Sequence, residues 1–215
     1  MQGLFITFEG PDGGGKSTQL HKAAEALRSQ GYAVVESREP GGTGLAEQVR
    51  GLVLNAELPL TNTTQTLLFL AARSEHVDKV LRPAVAAGAI VLCDRFSDST
   101  LVYQGLAAGL KLEELGDLRQ LNAVATEGFK PDMTLVLDGR PEELAKRRDA
   151  RGVSDRFEIK GLEFQHTLRN GFLTLAKAEP ERFTVINAEG TEDEVHKAIM
   201  EAIAKALQII SNKVQ

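Results

Sequence analysis

Five short runs, LFITFE (4–9), YAVVES (32–37), AIVLCD (89–94), MTLVLD (133–138) and FTVINA (183–188), are mostly apolar at both of their alternating positions. A strand that buries one face alternates apolar and polar residues. A strand covered on both faces does not, and such runs belong to parallel sheets sandwiched between helices. Between the runs lie amphipathic, helix-length stretches at Ser17–Gln30, Leu45–Leu54, Thr63–Gly88, Ser99–Gly109, Glu113–Glu127, Glu142–Ala150, Leu162–Ala178 and Glu192–Ile210. This order predicts a three-layer α/β/α sandwich with about five parallel strands. The 215 residues, 42% of them apolar, suffice for one domain over 1–215. Right-handed crossovers put the strand C-terminal ends, and any ligand, on one edge. The segment Arg147–Glu158, arginine-rich and interrupted by Gly152, breaks the pattern and reads as a flap between two helices.

The first strand runs into Gly10-Pro11-Asp12-Gly13-Gly14-Gly15-Lys16-Ser17, a match to G-x-x-x-x-G-K-[ST]. Bare backbone there lets successive N–H groups converge on phosphate oxygens, an approach that a Cβ would obstruct. The helix that follows adds the positive end of its dipole. Lys16 supplies a mobile point charge for the β- and γ-phosphates, the Ser17 hydroxyl is a hard ligand for Mg²⁺, and Thr18 belongs to the same donor-binding stretch. The loop therefore predicts a nucleoside triphosphate, with ATP and Mg²⁺ as the expected pair.

Such loops serve switches, motors and transferases alike. A guanine-reading switch needs N-K-x-D after a strand, and the late strand here ends INAEGTED. A motor would carry a longer acidic run after its third strand, which instead ends Asp94-Arg95-Phe96. An aspartate beside the metal and an arginine next to it suit a site where two phosphorylated molecules meet. Asp94 would orient the metal's waters and Arg95 would neutralise the second substrate's phosphate. A net charge of −5 and a pI of about 5.5 argue against general affinity for nucleic acid or acidic membranes, and leave room for a local basic pocket. The single cysteine, Cys93, rules out an internal disulfide, fits a reducing compartment and sits in a strand as packing. LFITFE is too short and lacks the basic flank of a signal segment, so a cytoplasmic location without membrane attachment is expected. None of His21, His76, His166 and His196 falls in a metal-like spacing.

FEGPDGGGKST (8–18), REPGGTGLAEQVR (38–50), LLFLAAR (67–73), VLCDRFSDSTLVYQG (91–105), KPDMTLVLD (130–138) and ARGVSDRFE (150–158) follow in an order that resembles bacterial thymidylate kinases along essentially the whole chain. The resemblance implies transfer of the ATP γ-phosphate to dTMP, giving dTDP and ADP, by a P-loop kinase fold. It implies that Phe69 stacks on thymine, that Arg73 donates to a thymine carbonyl, and that Thr100 and Gln104 bond the pyrimidine edge, with Ser99 beside them. Tyr103 would crowd the sugar and disfavour a 2′-hydroxyl, and Asp12 would accept from the 3′-hydroxyl. Arg38, Arg50 and Arg95 match positions around the acceptor phosphate. Gly13 and Gly14 stand where some relatives carry an arginine, which resembles the branch that draws it from the lid. Here Arg151, then Arg147 and Arg156, are the expected catalytic arginines, with Arg148 beside them. Relatives suggest a cis Glu39-Pro40 bond and a homodimer formed through the 45–80 and 97–127 regions. Ala108 stands where an arginine is common, so any contact of that arginine is in doubt. Two other readings stay open: a kinase for another nucleoside or nucleoside monophosphate, and a regulatory nucleotide-binding module.

Overall fold

The computed structural model describes residues 3–149 and 156–213. Its strands are β1 (Leu4–Glu9), β2 (Val34–Arg38), β3 (Ile90–Asp94), β4 (Met133–Asp138) and β5 (Phe183–Asn187), all parallel, in the order β2-β3-β1-β4-β5. β1 therefore lies at the centre, with Ile6 opposite Leu92 of β3 and Met133 of β4. The helices are α1 (Lys16–Ser29), α2 (Gly44–Leu54), α3 (Asn62–His76), α4 (Arg82–Ala86), α5 (Ser97–Thr100), α6 (Gly116–Thr126), α7 (Pro141–Asp149), α8 (Gly161–Ala178) and α9 (Glu192–Lys213). Every predicted strand is present to within two residues.

Alternation along β1 decides both layers. Leu4, Ile6 and Phe8 face α1 and α9, where Leu20, Ala23, Leu27, Val195, Ile199 and Ile203 close one core. Phe5 points the other way, against Val77, Leu81, Val91 and Phe96. On that same face Val136 packs with Val102, Leu168, Phe172 and Leu175, from the segment after α5 and from α8. Thr7 and Glu9 share this second face and are fully buried, so polar chemistry enters the interior here and not under α1.

Two predicted helices are broken. The 63–88 stretch is α3, then a π-helical turn at Val77–Leu81, then α4. Pro83 has no N–H and its ring collides with the carbonyl four residues back, so the chain widens before it, with the Arg82 N–H bonded to the Val77 carbonyl. The 99–109 stretch is α5, a π-helical turn at Leu101–Gly105, and a 3₁₀ turn that ends at Gly109, whose φ is 99°. Gly105 lets Leu115 approach: a Cβ there would lie 2.5 Å from Leu115 Cδ2. The 113–127 helix starts as a 3₁₀ turn at Leu112–Glu114 before α6. Thr43 and Thr61 cap α2 and α3, each accepting from the backbone N–H three residues on, which anchors both helices beside the sheet edge.

Candidate active site

The C-terminal ends of β1, β2 and β3 open into one cleft of about 760 Å³. At one end are the residues from Gly13 to Gln19 with Ala188, Thr191 and Val195. At the other are Arg38, Arg50, Phe69, Tyr103 and Gln104.

The glycine loop has to be glycine. Gly10 (φ 125°) and Gly13 (φ 87°) lie in the left-handed region, and Cβ atoms there would sit 2.5 Å from the Leu137 carbonyl oxygen and 2.3 Å from that of Leu144. Lys16, 7% exposed, folds back over the loop and donates from Nζ to the carbonyls of Gly10 (3.2 Å) and Pro11 (2.9 Å). Burial and the neighbouring Arg95 push its pKa down, against the pull of Asp12, Asp94 and Glu9. The first turn of α1 has no acidic residue of its own, and its positive end faces the cleft.

Ser17 Oγ donates to Asp94 Oδ2 at 2.5 Å. A hydroxyl and a carboxylate side by side form an all-oxygen donor set suited to Mg²⁺, which uses few protein ligands and keeps waters and phosphate oxygens. Among the described residues there is no cluster of three or more His, Cys, Asp or Glu that could hold a metal ion.

Arg95 is the hub. Its backbone takes φ 71° and its N–H donates to the Phe8 carbonyl (3.0 Å), which turns the side chain back across the loop. Nη2 donates to Asp12 Oδ1 (2.6 Å), and Nη1 to the Gly10 carbonyl (3.1 Å) and Ser99 Oγ (3.2 Å). The guanidinium lies over the Tyr103 ring, 5.2 Å from its centroid. Burial works against its charge, but Tyr103, Asp12, Glu9 and Asp94 raise its pKa. Burial likewise pushes Asp12 up, yet Arg95, Lys16 and a 3.3 Å bond from the Tyr103 hydroxyl hold it down at about 2.

Glu9, which sequence reading passed over, supports this hub from below. It is fully buried and accepts from the Phe96 N–H (2.8 Å) and the Ser99 hydroxyl (2.7 Å). Burial raises its pKa to about 7, despite Arg95. A carboxyl whose folded pKa lies above its unfolded 4.5 binds more protons folded than unfolded. Stability therefore falls as pH rises from about 4.5 to 7 and is flat above, a loss on the order of 3 kcal/mol at most. Glu9→Gln is expected to remove that slope, so the variant should gain on the parent as pH increases across this window in chemical denaturation.

At the other end of the cleft Arg73 is 2% exposed and bonds Glu39, Thr100, Asn122 and the Phe96 carbonyl. Thr100 and Gln104 are buried on the cleft wall beside it. Arg38 pairs with Glu47 (3.1 Å) and Arg50 donates to the Pro40 carbonyl (2.9 Å), so both arginines flank the Glu39-Pro40 bond, which is cis. Phe157, also missed, closes the slot: its ring centroid is 5.1 Å from Tyr103 and 6.4 Å from Phe69. Only its long-range contacts reveal it.

Two arginines of the 147–158 segment are bonded to backbone carbonyls away from the phosphate loop. Arg147 lines the cleft but donates to the carbonyls of Ala188 (2.7 Å), Glu189 and Gly190, holding the loop after β5 and not reaching the phosphate loop. Arg156 donates to the carbonyls of Asn55 and Leu58 beyond α2, because its backbone is drawn there by a bond to the Leu54 carbonyl. Arg151 lies outside the described residues, as does the side chain of Arg148.

The family model described as thymidylate kinase matches residues 8–199. The chain belongs to the thymidylate kinase family. Phosphorylation of dTMP with ATP as donor is that family's activity. Among relatives, the thymidylate kinase of Deinococcus radiodurans is 46% identical over 204 residues, covering 95% of this chain and 98% of that one. That of Pseudomonas fluorescens is 47% identical over 200 residues, covering 93% and 94%. The crystal structure of thymidylate kinase from Ehrlichia chaffeensis superposes with a TM-score of 0.76 at 35% identity, over 94% of this chain and 100% of that one. The five-stranded sheet with its glycine loop is thus the P-loop kinase fold of this family.

Proposed function

We propose that this chain transfers the γ-phosphoryl group of ATP to dTMP, giving ADP and dTDP on the way to dTTP, with Mg²⁺ held from Ser17 and Asp94. One observation carries the reading: a single cleft joins a phosphate loop to an aromatic slot flanked by arginines, and Arg95 with Asp12 stands at the junction. The loop N–H groups and Lys16 hold the donor phosphates. Phe69, Phe157 and Tyr103 flank the acceptor base and sugar, with Arg73, Thr100 and Gln104 at the base edge. Arg38, Arg50 and Arg95 meet the acceptor phosphate, and Ser99 fixes Arg95. Bound Mg²⁺ would screen charge on the donor phosphates. An acceptor phosphate oxygen attacks the γ-phosphorus, that P–O bond forms as the bond to the ADP oxygen breaks, and no covalent protein intermediate is needed. Catalysis is positioning plus charge stabilisation. Arg151 and Arg147 are proposed to complete the cage when the lid closes. Arg156 is proposed there only if it leaves its bonds to the loop after α2.

The test is ADP formation with a panel of nucleoside monophosphates. The reading requires strong dependence on added acceptor, with dTMP best by a wide margin. Acceptor-independent hydrolysis would favour a regulatory ATPase, and a different best acceptor another kinase. The Tyr103 hydroxyl already occupies Asp12, the proposed 3′-hydroxyl acceptor, and its ring fills the space beside it. Tyr103→Ala is therefore expected to narrow the preference for deoxyribo- over ribonucleotides by about 10-fold or more, read as a ratio of kcat/KM values.

A homodimer is also proposed. Leu45 and Leu52 on α2, Leu67 on α3, and Leu121 and Val124 on α6 are all exposed large apolar residues, Val124 at 71%. Sedimentation or light scattering decides it. A cytoplasmic location is proposed from the single buried thiol Cys93, and no described helix is long and apolar enough to cross a membrane.

A further inference from the structure

We infer that Glu39 and His76 are a positioning pair that fixes the direction in which Arg73 offers its donor to the acceptor base, and that they thereby set base specificity. The inference rests on the reading above that Arg73 faces that base.

Arg73 has five N–H groups. Four are used: Nε by Glu39 Oε2 (2.7 Å), Nη1 by Thr100 Oγ1 (2.9 Å) and Asn122 Oδ1 (2.6 Å), and Nη2 by the Phe96 carbonyl (3.0 Å). One Nη2 hydrogen is left for the cleft that Arg73 lines. A guanidinium can rotate about its stem, so the acceptors behind it choose where that hydrogen points. Glu39 is the ionisable one among them.

Glu39 is held in turn. Its other oxygen, Oε1, is 3.0 Å from His76 Nδ1, and His76 is fully buried. A carboxylate only accepts, so Nδ1 carries the proton and Nε2, 2.6 Å from Ser37 Oγ, accepts from that hydroxyl in the neutral ring. His76 lies three residues after Arg73 in α3, on the same helix face. It is wedged against the turn after β2: a Cβ on Gly42 would lie 2.5 Å from His76 Nε2. One relay therefore runs from the base edge through Glu39 and His76 to Ser37, next to Arg38 at the acceptor-phosphate end. None of Ser37, Glu39 and His76 needs to touch substrate for this role.

His76→Phe keeps a flat ring, somewhat larger than the imidazole, and removes both hydrogen bonds. The expected result is a KM for dTMP raised about 10-fold and a preference for dTMP over dCMP reduced about 10-fold, because cytosine presents an amino group where thymine has the carbonyl. The KM for ATP and kcat at saturation should stay within about 2-fold, as the donor site is untouched. His76→Asn retains a donor in the Nδ1 position and should restore most of the preference. If His76→Phe does not fold, Glu39→Gln gives the same readouts. It keeps the shape but sets an amide N–H against one of two donors, and the same acceptor-only change is expected. A folded variant with unchanged dTMP preference overturns the inference, as does a parallel loss in every kinetic constant. If the parent enzyme itself does not prefer dTMP, the functional reading fails first, which separates the two outcomes.

Discussion

Lys16→Ala is expected to lower dTMP-dependent ADP formation by about 10³-fold or more while leaving the fold intact. The asymmetry follows from its surroundings. Lys16 is buried and spends two hydrogen bonds on carbonyls of its own loop, and burial already disfavours its charge. The carboxylate nearest to it, Asp12 at 3.8 Å, keeps its closer partner Arg95 at 2.6 Å when the lysine is removed. No buried charge is orphaned, so unfolding free energy should change by about 1 kcal/mol or less. With a triphosphate bound, by contrast, no other residue of the glycine loop carries a cation for the β- and γ-oxygens. Steady-state rates beside a thermal melt measure both halves. A variant that kept a tenth of the parent rate would remove Lys16 from the mechanism.

Arg95→Ala should damage rate and stability together, and that contrast is diagnostic. Arg95 is the counter-charge for Asp12 and lies 3.7 Å from Glu9. Removing it leaves two carboxyls in a largely desolvated pocket, a loss of about 3–5 kcal/mol if neither takes up a proton. Both would therefore titrate higher: Asp12 rises from its value of about 2 and Glu9 from about 7, since Arg95 lowers each. kcat is expected to fall about 10³-fold, and the KM for dTMP to rise. Arg95→Lys separates the effects. A lysine keeps the charge but cannot serve Asp12, Ser99 and the Gly10 carbonyl through one planar fork. It should recover most of the stability and little of the rate. If Arg95→Lys were as active as the parent, charge alone would suffice and the positioning role of the fork would be lost.

What could be read from the chain was local. Each strand is a short run that needs no distant partner to be recognised, and the phosphate loop announces itself in eight residues. Asp94 and Arg95 were legible because one ends a strand and the other follows it directly. The breaks in the helices were half legible, since Pro83 stands in plain view inside the 63–88 stretch, whereas Gly105 matters only through Leu115. Glu9 and Asn122 were not legible. Glu9 reads as the end of an apolar strand until Phe96 and Ser99, about 90 positions away, deliver hydrogen bonds to it. Asn122 is one polar residue on an amphipathic helix until Arg73, 49 positions earlier, meets it. The arginine segment was legible only as composition, since where Arg147 and Arg156 point is decided by carbonyls of Ala188 and Asn55 elsewhere.

The two π-helical turns, at Val77–Leu81 and Leu101–Gly105, carry a last consequence. Arg73, Thr100 and Gln104, the residues proposed at the base edge, lie within or within four residues of these uncommon, widened turns. Val77 and Leu81 in the first turn, and Leu101, Val102, Gln104 and Gly105 in the second, are buried. Each widened turn is therefore held by the packing around it, and Gln104 reaches the cleft wall from inside one of them.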